Sequence, residues 1–193
     1  MNSTDYERLK AKILEYIRMN LKESRLQHTY RVAETAVAMA RREGADVRKA
    51  EIAALLHDCA RNLPPEKLNS LVEELGLPDR YRDNVNLSHS KVGAAFAGRL
   101  FNIDDREILD AISYHTTGRC RMTTLEKIVF LADAIEPGRD YPGVEAIRDA
   151  AEESLDRGCL KSLEGTIEFL KATDKFIDND TIEAFNDIKE KIG

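Results

Sequence analysis

Apolar residues recur every three or four positions along almost the whole chain, and they do not alternate strictly with polar residues over the length of a strand. This period is typical of α-helices, in which residues three and four apart share a face. A short helix is also expected around 79–84. The longer predicted helices are 5–21, 25–43, 47–60, 65–75, 89–101, 105–114, 124–135, 144–156, 159–172 and 181–192. The fold is therefore predicted to be all-α.

Local signals mark where these helices begin and end. A Ser, Thr or Asp followed three residues later by Glu or Gln is typical of a capping box, and a glycine after an apolar run favours a helix end. Capping boxes are predicted at Thr4, Ser24, Asp104, Thr123 and Asp180, and helix ends at Gly44, Gly76 and Gly158. No linker divides the chain. We therefore expect one domain over 1–193, with its core at about 20–140 and C-terminal helices at 144–192 packed on that core.

Charge and composition exclude several classes of protein. The 29 basic and 35 acidic residues give a net charge of −6, which argues against nucleic-acid binding through the overall field. No apolar run exceeds seven residues, and the polar start lacks the apolar region of a signal peptide. The three cysteines are far apart, which indicates neither a disulfide framework nor a thiolate zinc site. We expect a cytoplasmic protein that binds neither nucleic acid nor membrane, with a homodimer as an open alternative to a monomer.

Two predicted helices place polar groups in apolar surroundings. The helix 25–43 has two apolar stripes, one of which contains His28, so this helix is expected to be central and buried. Asp133 follows the very apolar segment 128–132. A buried carboxylate is costly unless it is paired or binds a cation. Both residues are therefore candidates for a metal site.

The chain has only four histidines, and two aspartates accompany them. A lone histidine on an apolar face is usually a hydrogen-bonded core residue, and a lone aspartate near a helix end is usually a cap or an ion-pair partner. All six residues together are stronger evidence for a metal site, because imidazole and carboxylate are ligands for Fe, Mn, Co, Ni and Zn. Side chains of adjacent helical residues point about 100° apart, so one can bind a first ion while the other bridges to a second. The six residues are His28, His57, Asp58, His89, His115 and Asp133.

The segments around these residues carry a family resemblance. The most specific are Asp-Cys-Ala-Arg at 58–61 and Ala-Asp-Ala-Ile-Glu-Pro-Gly-Arg at 132–139. The sequence resembles the HD-domain metal-dependent phosphohydrolase superfamily, and within it the YqeK branch. Members of that branch are bacterial hydrolases that split diadenosine tetraphosphate symmetrically into two ADP. The further segments that carry the resemblance are 25–32, 88–94, 112–118 and 181–186.

The resemblance implies an HD-type helical bundle with a metal site between its central helices. Iron is the expected metal, as one or two ions, with Mn, Co, Ni or Zn as substitutes. The implied ligands are His28, His57, Asp58 and Asp133, with His89 and His115 at a second metal or on phosphate. The implied catalytic residues are Asp58, His89 and His115. A metal-activated hydroxide would attack an inner phosphorus, and ADP would leave.

Substrate contacts are implied in the same way. The implied ADP-binding residues are His28, Asp58, Cys59, Ala60, Arg61, His89, His115, Thr116, Asp133 and Arg139. Arg61 and Arg139 would bind phosphate oxygens, although Arg61 could instead complement a helix dipole. Lys91 is a third phosphate-binding candidate or a solvated side chain. Cys59 is expected to be a small buried hydrophobe rather than a nucleophile.

The C-terminal segment is a weaker candidate for a nucleotide contact. The stretch before the tail segment, Phe-Ile-Asp-Asn-Asp at 176–180, departs from the His-Pro version that is more usual in the family. The candidate rim residues are Phe176, Ile177, Asp178, Asn179, Asp180 and Thr181.

Two alternative functions compete with this one. The first is another HD phosphohydrolase, such as a nucleoside monophosphate phosphatase, which would release inorganic phosphate rather than ADP. The second is a sensor that binds metal and nucleotide without turnover. All six candidate ligands are present, which favours an enzyme over a sensor.

Overall fold

The computed structural model describes residues 2–193, and in this range the chain is helical with no strand. A 3₁₀ helix lies at Asp79–Tyr81. The α-helices are α1 (Ser3–Asn20), α2 (Glu23–Glu43), α3 (Val47–Leu56), α4 (Pro65–Glu74), α5 (Val85–Phe101), α6 (Arg106–Tyr114), α7 (Thr124–Ile135), α8 (Val144–Glu153), α9 (Leu155–Ala172) and α10 (Asn179–Ile192). The predicted all-α fold is confirmed. None of these helices is long and apolar enough to cross a membrane.

Helices α2, α3 and α7 form the centre of the bundle, because α2 packs on both of the other two. Their apolar side chains, such as Val32, Leu56 and Leu131, are fully buried. Helix α6 packs against α3, α5 and α7, while α9 packs against α7, α8 and α10. A single large cluster of buried apolar residues runs from α1 to α10. The central helices therefore have neighbours on several sides, as the two apolar stripes of α2 predict.

Two helix boundaries differ from the prediction in ways that affect the site. Helix α3 ends at Leu56 rather than residue 60, and a series of tight turns follows in which Cys59 N donates to Leu56 O and Arg61 N to Asp58 O. These turns bury the same residues as a helix would, so the apolar pattern does not reveal the change. Helix α5 begins at Val85 rather than residue 89, because Ser88 N already donates to Asn84 O.

Most of the predicted capping boxes are wrong. Only Thr123 forms one, with Glu126. The capping side chains elsewhere belong to neighbouring residues, namely Asn2, Asp105 and Asp178, instead of Thr4, Asp104 and Asp180. Helix α2 begins after Lys22, without a side-chain cap at Ser24. At these three helices the capping residue lies within two positions of the predicted one. Helix boundaries inferred from local signals are generally uncertain by that much.

The predicted helix ends at Gly44 and Gly76 are confirmed, since both residues have positive φ, at 67° and 62°. Gly158 is different, because it lies inside α9 and ends no helix. Ser154 separates α8 from α9 and caps α9 through Arg157 N. At Gly158 an added Cβ would lie 2.8 Å from Ala151 Cβ and 3.0 Å from Leu131 Cδ1. The glycine therefore permits close packing of α9 on α7 and α8.

We predict that Gly158→Ala destabilises the protein by about 1–3 kcal/mol, because the new methyl group would overpack the contact with Ala151. Gly165→Ala in the same helix is the matched control, since nothing lies within 4 Å of its added Cβ. That control should be neutral or stabilising by up to about 1 kcal/mol. Urea unfolding followed by circular dichroism measures both, and equal stabilities for the two variants would contradict the packing argument.

Candidate metal centre

The six candidate ligands meet in one place, and each lies at or near a helix end that points to the centre of the bundle. His28 is in the second turn of α2, and Asp133 is in the last turn of α7. His57 and His115 directly follow α3 and α6, and His89 lies one turn inside α5. His28, His57, Asp58, His89 and His115 are all buried, and the Asp133 side chain is 22% exposed. The sequence prediction that these residues belong together agrees with this geometry.

Asp58 lies between two groups of histidines. Its Oδ2 atom is 3.4 Å from His57 Nε2 and 3.9 Å from His28 Nε2. Its Oδ1 atom is 3.1 Å from His89 Nε2 and 3.9 Å from His115 Nε2. A carboxylate placed in this way can bridge two metal ions, one on each side.

Asp133 closes one side of the centre. Its Oδ1 atom lies 2.9 Å from His28 Nε2 and 3.8 Å from His57 Nε2. His28, His57 and Asp133 form one group whose ligand atoms all lie within 4.8 Å of one another. A second such group contains His57, Asp58 and His115.

Acceptors on Nδ1 orient the histidine rings. His28 Nδ1 lies 3.0 Å from Glu136 Oε1, while the Nδ1 atoms of His57 and His115 face the carbonyls of Ala54 at 2.7 Å and Ile112 at 2.8 Å. A proton on Nδ1 satisfies each acceptor and leaves the Nε2 lone pair directed at the centre. Imidazoles are held in this way when they are metal ligands.

The electrostatics of the centre suit a cation. Although burial alone would raise the pKa of Asp58, the neighbouring His57 and His89 hold it well below its ordinary value. Burial, together with His57 and His89, lowers the pKa of His115 to about 3, so this imidazole is neutral at pH 7. The buried Nε2 atoms of His28 and His57 face the carboxylates of Asp133 and Asp58, at 2.9 Å and 3.4 Å. Buried imidazole nitrogens that face ionised carboxylates are a donor set that fits a bound metal ion.

Three arginines surround the centre. Arg139 Nη2 donates to Asp133 Oδ1 at 2.5 Å, and Arg61 Nη2 donates to Asn86 Oδ1 at 2.7 Å. Arg61 Nη1 also lies 3.0 Å from His89 Nδ1, so this arginine contacts the site rather than only a helix end.

Arg25 is the third of these arginines, and it is not among the residues predicted from the sequence. It donates to Asp58 Oδ2 at 2.8 Å. Its position three residues before His28 places both side chains on the same face of α2, and this spacing is the signal that could have found it.

Glu136 is a second site residue that is not among those predicted from the sequence, because its neighbours Pro137 and Gly138 are typical of a loop. Its place in the segment 132–139, which carries the family resemblance, is the signal that could have found it. The side chain is buried and bonded to His28 and Arg31. Burial would raise the pKa of Glu136, but the hydrogen bonds from Arg31 and His28 lower it to about 2. The carboxylate is therefore ionised although it is buried.

A cavity of about 860 Å³ opens beside the centre. Its walls include His115 and Asp133 at one end and residues of α9 such as Phe169 at the other. Thr116 and Arg139, both predicted to bind nucleotide, also line it. Ligand cavities have volumes of about 300–1,000 Å³, so a nucleotide can be accommodated.

Cys59 and Ala60 have buried side chains that do not line this cavity. Burial, with a smaller contribution from Asp58, raises the pKa of the Cys59 thiol to about 12. Its Sγ atom lies 3.7 Å from the carbonyl of Gly93. Cys59 is thus a small buried hydrophobe, as predicted, and nucleotide contacts at 59–60 would involve main-chain atoms.

The predicted nucleotide rim at 176–181 lies outside the cavity lining. Asp178 is 2% exposed, caps α10 and forms an ion pair with Arg80 at 2.9 Å. Asp180 lies 3.4 Å from Arg80 and 3.8 Å from Lys91. Of the others, Phe176 and Asn179 are exposed, Ile177 is half-buried and Thr181 is buried.

Lys91 is not a solvated side chain. It is only 9% exposed, and its Nζ atom lies 3.5 Å from the ring centroid of Tyr114. Burial lowers the pKa of this ammonium group to about 8. The sequence pattern misleads here, because Lys91 is covered by Tyr114 and by Asp180 of α10, which are distant in sequence.

The fold and the centre correspond to a known class of protein. Residues 25–138 match the HD domain family, so this chain belongs to it. A protein of Bacillus subtilis named symmetrical bis(5'-nucleosyl)-tetraphosphatase is 40% identical, over 90% of this chain and 94% of that protein. A protein of the same name from Halalkalibacterium halodurans is also 40% identical, over 93% and 96% of the two chains.

A solved structure has the same fold. The crystal structure of a Clostridium acetobutylicum protein, described as a predicted HD superfamily hydrolase involved in NAD metabolism, superposes with a TM-score of 0.90. It is 41% identical, and the match covers 94% of this chain and 97% of that one. The family resemblance drawn from the sequence is thereby confirmed.

We predict that Asp58→Ala purifies with much less metal than the wild-type protein, because the carboxylate that faces both histidine groups is removed. Elemental analysis after purification measures the metal content per chain. Asp140→Ala, which changes an exposed aspartate in the loop after α7, is the control and should keep the wild-type content. Equal metal content in Asp58→Ala and the control would contradict the assignment of Asp58 as a ligand.

Proposed function

We propose that this protein is a metal-dependent symmetrical bis(5'-nucleosyl)-tetraphosphatase, which cleaves diadenosine tetraphosphate into two ADP. The observation that carries the proposal is the Asp58 carboxylate, whose two oxygens face separate groups of histidines beside a nucleotide-sized cavity. The relatives named for this activity are 40% identical over almost the whole chain, which supports the same substrate.

His28, His57, Asp58 and Asp133 would hold the first metal ion, and His89 and His115 would complete a second position. The metal we propose is iron, as the family resemblance implies, and the nitrogen and oxygen donors suit first-row transition metals in general. When bound, such ions polarise phosphoryl oxygens and lower the pKa of water. The chain supplies the remaining parts of the reaction.

Arginines neutralise the phosphate chain. Arg139 contacts Asp133 and lines the cavity, and Arg61 contacts His89 of α5. A guanidinium can bind two phosphate oxygens at once and remains charged at every relevant pH. These two side chains would therefore fix the polyphosphate across the centre, with an inner phosphorus next to Asp58.

One ADP half would occupy the cavity between the centre and α9. Thr116 Oγ1 lies 3.2 Å from His115 Nε2, at the mouth of this cavity, so its hydroxyl can contact a phosphate or a water molecule. The pKa of His115 is lowered to about 3, so at pH 7 its Nε2 offers a lone pair rather than a proton. The other ADP half would leave from the side of Arg61, which is half-buried and so remains partly open to solvent.

The products test the proposal directly. With diadenosine tetraphosphate in oxygen-18 water, we expect ADP as the sole nucleotide product and one labelled oxygen per cleavage. Chromatography with mass spectrometry resolves the products. Formation of AMP and ATP would place the cleaved bond elsewhere, and release of inorganic phosphate would favour a phosphatase. Metal-loaded protein without turnover would favour a sensor.

We predict that Arg139→Ala raises KM more than it lowers kcat, because the guanidinium contacts phosphate in the substrate and in the transition state alike. Steady-state kinetics measures both constants. The metal content, measured in parallel, shows whether loss of the arginine also impairs metal binding by Asp133. Arg157→Ala, which changes an exposed arginine of α9 paired with Glu153, is the control. Wild-type KM in Arg139→Ala would exclude a contact between this arginine and the substrate.

A further inference from the structure

Glu136 directly follows α7 and is only 1% exposed. Its Oε1 atom lies 3.0 Å from His28 Nδ1, on the side of the ring opposite the centre. Its Oε2 atom accepts hydrogen bonds at 2.5 Å from Arg31 Nε and from Gly138 N. Three donors thus fix a buried carboxylate behind one of the histidines.

The loop conformation around Gly138 is part of this arrangement. An added Cβ at Gly138 would lie 2.4 Å from Arg31 Nη2, so a larger residue would displace the guanidinium. The chain therefore brings Arg31, Glu136 and the Gly138 amide together closely. Such a buried carboxylate is costly unless it is fully paired, and here each oxygen has a partner.

The four histidines differ in the group that contacts Nδ1, the ring nitrogen directed away from the centre. In His57 and His115 this group is a backbone carbonyl, from Ala54 and Ile112. Behind His89 there is the carbonyl of Val85 and also a cation, since Arg61 Nη1 lies 3.0 Å from its Nδ1. His28 alone among the four has a carboxylate there.

This difference has a direct chemical effect. A carboxylate that accepts the Nδ1 proton makes the imidazole a stronger donor through Nε2, whereas a nearby guanidinium withdraws electron density. The first position has His28, whose Nδ1 atom faces a carboxylate, together with His57 and Asp133. The second position has His89, whose Nδ1 atom faces a guanidinium, together with His115 and Asp58.

We propose that Glu136 is a positioning residue that makes the place formed by His28, His57 and Asp133 the tighter of two metal positions. That place therefore fills first, and the place formed by Asp58, His89 and His115 fills at higher metal concentration. The inference rests on the proposed metal centre and adds the role of Glu136, which contacts His28 on the side of the ring away from that centre.

The test is a titration of the metal-depleted protein with Mn²⁺ alone, with the free ion measured by electron paramagnetic resonance. The wild-type protein should bind two ions with different dissociation constants. In Glu136→Gln the tighter binding should weaken by about 10- to 100-fold, the usual effect of losing a partner behind a metal-bound histidine. The dissociation constant of the weaker position should be the same in Glu136→Gln as in the wild-type protein.

Three further variants define the outcome. His115→Gln should weaken only the weaker position, because it removes a ligand of the second group alone. Arg31→Gln leaves every ligand and Glu136 in place but removes one donor to the carboxylate, and it should weaken the tighter position by less than Glu136→Gln. Glu145→Gln, an exposed glutamate paired with Arg148, should match the wild-type protein.

Several results would overturn the inference. Unchanged tight binding in Glu136→Gln, or a loss confined to the weaker position, would show that Glu136 does not set the order. If Glu136→Gln does not fold by circular dichroism, unchanged tight binding in Arg31→Gln would overturn the inference in its place. A wild-type protein that binds no Mn²⁺ would overturn the metal centre as well, while two equal dissociation constants would overturn the order of filling alone.

Discussion

The structure depends on the burial of a carboxylate among histidines at the centre of the bundle. Asp58 is 4% exposed, and each of its oxygens faces two imidazoles that different helices position. An ionised carboxylate in such a place is strongly destabilising unless groups around it compensate its charge. The ends of α2, α3, α5, α6 and α7 must therefore meet with the correct geometry. Apolar packing along these helices holds their polar ends in place.

A second set of interactions orients the histidine rings so that their Nε2 atoms face the centre and can bind a metal ion. Main-chain carbonyls at helix ends and one buried glutamate occupy the Nδ1 side of the histidines. Helix ends suit this task, since the last carbonyls of a helix lack partners within it. His57 and His115 each use the carbonyl three residues earlier, so the helix end that positions the ring also fixes its tautomer. Arginines then balance the negative charge on the side where substrate would bind.

Much of the fold and centre can be predicted from local pattern, and the errors have identifiable causes. The pattern places the end of α3 too late, because tight turns after Leu56 bury the same apolar residues as a helix would. It indicates a helix end at Gly158, whereas this glycine lacks a side chain so that α9 can pack closely against Ala151. It allows a solvated Lys91, although Tyr114 and Asp180 cover this side chain. The errors at Gly158 and Lys91 concern contacts with residues that the local pattern does not include.

The amino-acid sequence is sufficient to establish the helical architecture, because the apolar period is a local property. It also supplies all six candidate ligands, because four histidines and two aspartates in apolar segments are rare enough to stand out. How these groups face one another, and which residues stand behind them, depends on tertiary packing. Arg31 and Glu136 are 105 positions apart, and no local period relates them. Their contact exists because α2 and α7 pack side by side, and packing is a property of the whole chain.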